Sequence, residues 1–190
     1  MIKIIVGLSN PDNLYKNTRH NIGSHYVSLL AQYYNQRLQE EKKFLGYTAN
    51  ICVNHKIIRL LVPNVFMNIN GESVFLMSSF YHIPLTKILI VHDELDLSPG
   101  VIKIKYGFGS GGHKGLKNVM SYFKQSISFF RIRIGIGRPI KLEQISNYVL
   151  SYPNQHELNL INRVIYRMII NTNIFTTKIN VKLINKLLIN

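Results

Sequence analysis

Five consecutive residues, Lys87-Ile88-Leu89-Ile90-Val91, constrain the fold more than any other stretch of this chain. Four bulky apolar side chains, three of them β-branched, follow one another with no polar alternation. Neighbouring residues of a strand point to opposite faces of the sheet. Such a run is stable only where both faces are covered, which is the situation inside a parallel sheet packed between helices. Helices must therefore be found on either side of it in sequence.

They are. Ile2 to Leu8 reads as another mostly buried strand, ended by Asn10-Pro11-Asp12-Asn13 as a turn. Tyr26, Leu29, Leu30, Tyr33 and Tyr34 recur at helical spacing, so a helix is expected over 22–37 with Asn21 as its cap. Phe44 to Val53 and Lys56 to Val62 form a hairpin turning at Asn54-His55. A helix over 70–81 follows, with Asn68 or Asn70 as its cap. Val101 to Tyr106 alternates apolar residues with Lys and suits an exposed strand. Helix 113–124, strand Phe130 to Ile136 and a long amphipathic helix from Pro153 to Ile170 come next, then a basic, apolar stretch from Thr176 that is either helix or frayed tail. Strands and helices interleave without repeat or linker. The expectation is one α/β domain over residues 1–190, a central mixed, mostly parallel twisted sheet flanked by helices on both faces.

Charge adds a partner class. The chain of 190 residues carries a net charge of +14, with 23 Lys and Arg against 9 Asp and Glu. Beyond Asp96 the only acids are Glu143 and Glu157. A one-sided basic half fits a polyanion such as a phosphate backbone. An AT-rich genome would also enrich Lys, but it explains Arg131, Arg133 and Arg138 less well. The single cysteine, Cys52, leaves no internal disulfide and is expected to pack in its strand. No signal peptide and no membrane-length apolar run is present, so a cytoplasmic protein is expected.

Two segments carry chemistry. His20 lies in the polar run Asn17-Thr18-Arg19-His20-Asn21-Ile22-Gly23, shortly after the first strand. Asp93 belongs to His92-Asp93-Glu94-Leu95-Asp96, at the end of the apolar strand. Imidazole can take a proton from water when a carboxylate holds its other nitrogen. By spacing alone Glu94 or Asp96 would serve as well as Asp93. No metal is expected, because no second acidic cluster could complete a coordination sphere. Asn68 could bind a peptide group or a developing oxyanion. Gly107 to Gly112 matches G-x-G-x-x-G between a strand and a helix, but no acid follows for a ribose before Glu143; a nucleotide-binding oxidoreductase with an NADP-type site on Arg131 or Arg133 stays open as a further reading, although no nicotinamide cofactor is expected. Ser110 is not in a nucleophile elbow. Lys103, Lys105, Arg131 and Arg133 alternate along two strands and could clamp phosphate.

Taken in order, Val6-Gly7-Leu8-Ser9-Asn10-Pro11, Tyr15 with Thr18 to Gly23, Phe66-Met67-Asn68 with Gly71, Val91 to Asp96, Gly109 to His113 with Gly115-Leu116, and Phe130 to Pro139 resemble the bacterial-type peptidyl-tRNA hydrolases. The resemblance covers nearly the whole chain. It implies a cofactor-free, metal-independent monomer that hydrolyses the ester between a peptide and the 3′ end of tRNA. It implies His20 as base on water, Asp93 as its orienter, and Asn10 and Asn68 as contacts to the peptide, with Asn10 separating blocked from free amines. Tyr15 and Phe66 would line the groove, His113 and Lys114 would contact substrate, and Lys105 and Arg133 would hold the tRNA 5′ phosphate. The family usually has Asn where this chain has Lys114, and Gly where it has Ser9 and Asp12. A cation at 114 should keep His20 neutral. If it abolished turnover, a non-catalytic tRNA- or RNA-binding protein would remain.

Overall fold

The computed structural model describes residues 1–123, 127–177 and 179–189. In chain order the elements are β1 (Ile4–Gly7), α1 (Asp12–Tyr15), α2 (Ile22–Tyr33), β2 (Gln39–Glu41), β3 (Gly46–Val53), β4 (Lys56–Pro63), α3 (Asn70–Phe80) and β5 (Ile88–Glu94). They continue with β6 (Ile102–Gly107), α4 (Lys114–Tyr122), β7 (Phe129–Gly135), α5 (Ile145–Val149), α6 (Gln155–Ile170), α7 (Thr172–Thr177) and α8 (Val181–Ile189).

The seven strands lie in the order β2-β3-β4-β1-β5-β7-β6. The inner four, β4-β1-β5-β7, are mutually parallel. The outer pairings, β2 with β3, β3 with β4, and β6 with β7, are antiparallel. The sheet is thus mixed, with its parallel part in the middle where both faces are covered. Leu89 and Val91 of β5 enter one core with Tyr26, Val27 and Leu30 of α2 and Ile161 and Ile165 of α6. Ile88 and Ile90 enter the other, with Val74 and Met77 of α3 and Leu116 and Val119 of α4. The unalternating run is buried on both sides, each such side chain contributing about 1.5–3 kcal/mol by its removal from water.

Several ends differ from the expectation for local reasons. Helix α2 stops at Tyr33 rather than Arg37, because Asn35 takes a left-handed conformation (φ 54°) that closes the helix. Strand β3 starts at Gly46, after a tight turn in which Leu45 has φ 52°. The hairpin turn falls at Asn54-His55 as expected, both with positive φ. Neither Asn21 nor Asn68 nor Asn70 caps a helix through its side chain. Asn154 does, in a capping box with Glu157 that starts α6. Cys52 is exposed, not packed. The end of the basic stretch is helical: α8 lies against β6, and Asn185 bonds both the N–H and the C=O of Ile104 at 2.8 and 2.9 Å. That side chain covers part of an edge strand's open backbone.

Two glycines bring the reacting segments together. A Cβ on Gly7 would stand 2.2 Å from the Gly23 carbonyl oxygen, and one on Gly23 would stand 2.5 Å from that of Val91. The start of α2 therefore rests backbone against backbone on β1 and β5. His20, just before it, reaches the carboxyl end of β5.

Candidate active site

Asp93 is buried at that strand end and accepts from both sides of the sheet. His20 Nδ1 lies 2.9 and 3.0 Å from its two oxygens. His113 Nε2 lies 2.9 Å from Oδ1. A carboxylate only accepts, so each of these nitrogens carries the proton. His113 Nδ1 in turn accepts from the Leu116 N–H at 3.2 Å, capping α4. His113 is thus held by the protein at both nitrogens and braces Asp93, rather than offering either nitrogen to substrate. His20 is different. Its Nε2 keeps a lone pair and has no partner among the described residues.

Glu94 and Asp96 do not compete for His20. Glu94 accepts from Arg133 Nε at 2.8 Å, and Asp96 pairs with Arg138. The third histidine, His92, faces the other way along β5. Its Nδ1 is 2.6 Å from the Asp93 carbonyl oxygen, and its ring packs on His113 at 5.0 Å between centroids.

Electrostatics follow the burial. Desolvation alone would lower the His20 pKa. The Asp93 charge and hydrogen bond outweigh it, Lys114 subtracts a little, and the net shift is upward. The Lys114 contribution has the sign expected from sequence, and the larger Asp93 contribution sets the net direction. Burial would raise the Asp93 carboxyl, yet His20 and His113 hold it well below the usual carboxylate range. His92 is pushed down to about 3 by burial first and by the His113 and Arg131 charges next.

The residues around this pair form a cavity of about 560 Å³ lined by Asn10, Tyr15, His20, Phe66 and Asn68, among others. Asp93, His113 and Lys114 also reach it. Asn10 is fixed by long-range bonds. Its backbone N–H and C=O bond the Asn21 side chain at 2.8 and 2.9 Å, and its Oδ1 accepts from Met67 N at 2.9 Å. The last bond fixes the amide orientation, because a backbone N–H can only donate. Nδ2 of Asn10 is left as a donor without a partner among the described residues. Asn70 performs the same service one residue earlier: it bonds Ser9 N and O at 2.9 and 2.8 Å and the Phe66 carbonyl at 3.0 Å. Tyr15 and Phe66 meet edge-on at 6.4 Å, with Phe66 49% exposed. Ile145, Val149 and Leu150, around α5, supply an apolar wall that carried no sequence signal.

The glycine loop is a wall of this cavity, through Ser110, Gly111 and Gly112. Gly109, Gly111 and Gly112 have φ of 94°, 58° and 85° with open space beyond each Cα, so conformation rather than crowding demands glycine. Arg131 braces the loop through the carbonyls of Gly109 and Phe108. Arg131 is buried, so it is not part of a phosphate clamp. Lys103, Lys105 and Arg133 do share one face of the β6–β7 pair, since Lys103 is opposite Arg133 and Lys105 opposite Arg131. Lys103 and Lys105 are exposed and Arg133 half-buried, all outside the cavity. Arg19, beside His20, is buried and ties this turn to α6 by a 2.8 Å bond to Glu157. One set of ligand atoms, from His20, Asp93 and His113, lies within 4.8 Å, as a divalent cation would require. Binding there would take both nitrogens' bonds away from Asp93.

The family model for peptidyl-tRNA hydrolase matches residues 4–188. The chain belongs to the peptidyl-tRNA hydrolase family. It is 48% identical to the peptidyl-tRNA hydrolase of Proteus mirabilis over 186 residues, 98% of this chain and 96% of that one. It is 52% identical to that of Buchnera aphidicola over 166 residues, 87% and 94% of the two chains. The crystal structure of the peptidyl-tRNA hydrolase from Acinetobacter baumannii superposes with a TM-score of 0.89 at 37% identity, covering 98% of this chain and 92% of that one. The fold class expected from sequence is the fold of these hydrolases. Neither the non-catalytic RNA-binding reading nor the nicotinamide reading finds support among these relatives.

Proposed function

We propose that this chain hydrolyses peptidyl-tRNA with His20 as general base on water. The observation that carries the reading is the His20–Asp93 pair, with His20 Nε2 open to a cavity that also holds Asn10, Asn68, Tyr15 and Phe66. A water at Nε2 gives its proton to His20 as its oxygen attacks the ester carbonyl. The imidazolium formed is stabilised by Asp93, whose charge and hydrogen bond more than offset the burial that would lower the His20 pKa. The bond from the acyl carbon to the 3′ oxygen then breaks. The proton passes from His20 to that oxygen, giving free tRNA and a peptide acid that loses its own proton to solvent. No covalent enzyme intermediate is needed.

Asn10 Nδ2 is suited to donate to the carbonyl oxygen of an N-acylated residue. A free aminoacyl ester has no such acceptor. Asn68 adds a second amide on the same wall, and Tyr15 and Phe66 offer rings for the terminal base. Lys105 and Arg133 suit the tRNA 5′ phosphate, the latter only by sharing its charge with Glu94. His113 enters as a positioning residue. The reading includes a metal-independent monomer working in the cytoplasm; no helix among the described residues is long and apolar enough to cross a membrane.

The test is release of N-acetylated amino acid from its tRNA, with the unblocked ester as control, with and without a chelator. Cleavage of the blocked ester alone, unaffected by chelator, is expected. Cleavage of neither ester would overturn the reading.

A further inference from the structure

The acids that reach the cavity are engaged. Asp93 accepts from His20 and His113, and Glu94 from Arg133. The other cation on the wall besides Lys114 is Arg138, and it is paired with Asp96. Lys114 is exposed at the start of α4 and lines the same cavity. Among the described residues no carboxylate lies within ion-pairing distance of it. Its charge therefore belongs to the cavity lining with no carboxylate to neutralise it, near enough to His20 to be felt there.

We infer that Lys114 is a specificity-determining residue that rejects esters bearing a free α-ammonium by like-charge repulsion. The inference rests on the peptidyl-tRNA reading above. An N-acylated ester is neutral at its α-nitrogen. An unblocked aminoacyl ester is protonated there in large part near neutral pH. Asn10 discriminates through an acceptor that the free amine lacks; Lys114 discriminates through a charge that the blocked ester lacks. The two mechanisms are separable, because a substrate can lack both acceptor and charge. Unit charges about 8 Å apart at an effective dielectric of about 40 repel enough to slow reaction roughly fivefold.

The experiment measures kcat/KM for three esters on the same tRNA: N-acetylphenylalanyl, phenylalanyl, and phenyllactyl, in which a hydroxyl replaces the amine. The wild-type chain, Lys114→Gln and Lys114→Arg are compared. The ratio of phenyllactyl to phenylalanyl cleavage should fall roughly fivefold in Lys114→Gln and persist in Lys114→Arg. The ratio of N-acetylphenylalanyl to phenyllactyl should stay constant. In the wild type, added salt should lower the first ratio, a readout that survives if the glutamine variant does not fold. A first ratio equal in wild type and Lys114→Gln overturns the inference. So does an equal rise in KM for all three esters, which would make Lys114 a contact to tRNA phosphate. Failure of the wild type to cleave any of the three removes the peptidyl-tRNA reading itself, and the inference with it.

Discussion

The cavity end of the sheet and the β6–β7 edge both present polar side chains, but they hold them differently. At the cavity, Ser9 is fixed by Asn70, Asn10 by Asn21 and Met67, and His20 by Asp93, which His113 holds in turn. At the edge, Lys103 and Lys105 are exposed and owe their common face to strand alternation alone. The first arrangement fixes positions through specific bonds, and breaking one of them is expected to cost function. The second sets only a direction of charge, which suits a flexible polyanion and should weaken with salt. Arg131 lies between the two. It belongs to the basic strand by sequence, yet burial turns it inward to brace the glycine loop.

Substitutions should expose this contrast. His20→Ala is expected to lower kcat by roughly 100- to 10,000-fold, while tRNA affinity, measured by filter binding, changes little. Equal loss of both would mean that the turn holds the fold instead of the water.

Asp93→Asn should cause a comparable fall, because the amide no longer fixes the His20 tautomer. It also tests the pH profile. The base works only when neutral, so kcat/KM should rise with pH through a midpoint above 6.5 in the wild type. Without the Asp93 charge, burial and Lys114 act unopposed and the midpoint should move down.

His92 gives a stability signature on acidification. Its folded pKa of about 3 lies below its ordinary 6.5, so between these values the unfolded chain binds the extra proton. Stability should therefore fall as pH drops from 6.5 towards 3, by about 1.4 kcal/mol per unit from this group. In His92→Asn, denaturant titrations across that window should show a flatter slope; an unchanged slope would assign the acid limb elsewhere.

Asn70→Ala strips the partners from Ser9 N and O and should lower stability by about 2–3 kcal/mol, read as a reduced denaturation midpoint. The smallest effect belongs to the edge. Lys105→Ala should raise KM several-fold at low salt, leave kcat alone and reduce the salt slope of tRNA binding by about one. A kcat loss there would erase the distinction between the two regions.

The sequence carries the fold a long way by itself. The unalternating Ile88–Val91 run demanded a doubly covered strand, and helical periodicity supplied the covers, because burial patterns are written locally in residue order. His20 and Asp93 could be singled out by type and by their places near strand ends. What the sequence could not decide was contact between distant groups. That Asp93 rather than Glu94 meets His20, that His113 braces Asp93, and that Asn21 and Asn70 clamp backbone instead of capping helices all depend on contacts between segments distant in sequence, of which the approach of Gly23 to Gly7 and Val91 is one. Hydrogen bonds have a reach of about 3 Å, and only the tertiary structure brings residues 73 positions apart within it.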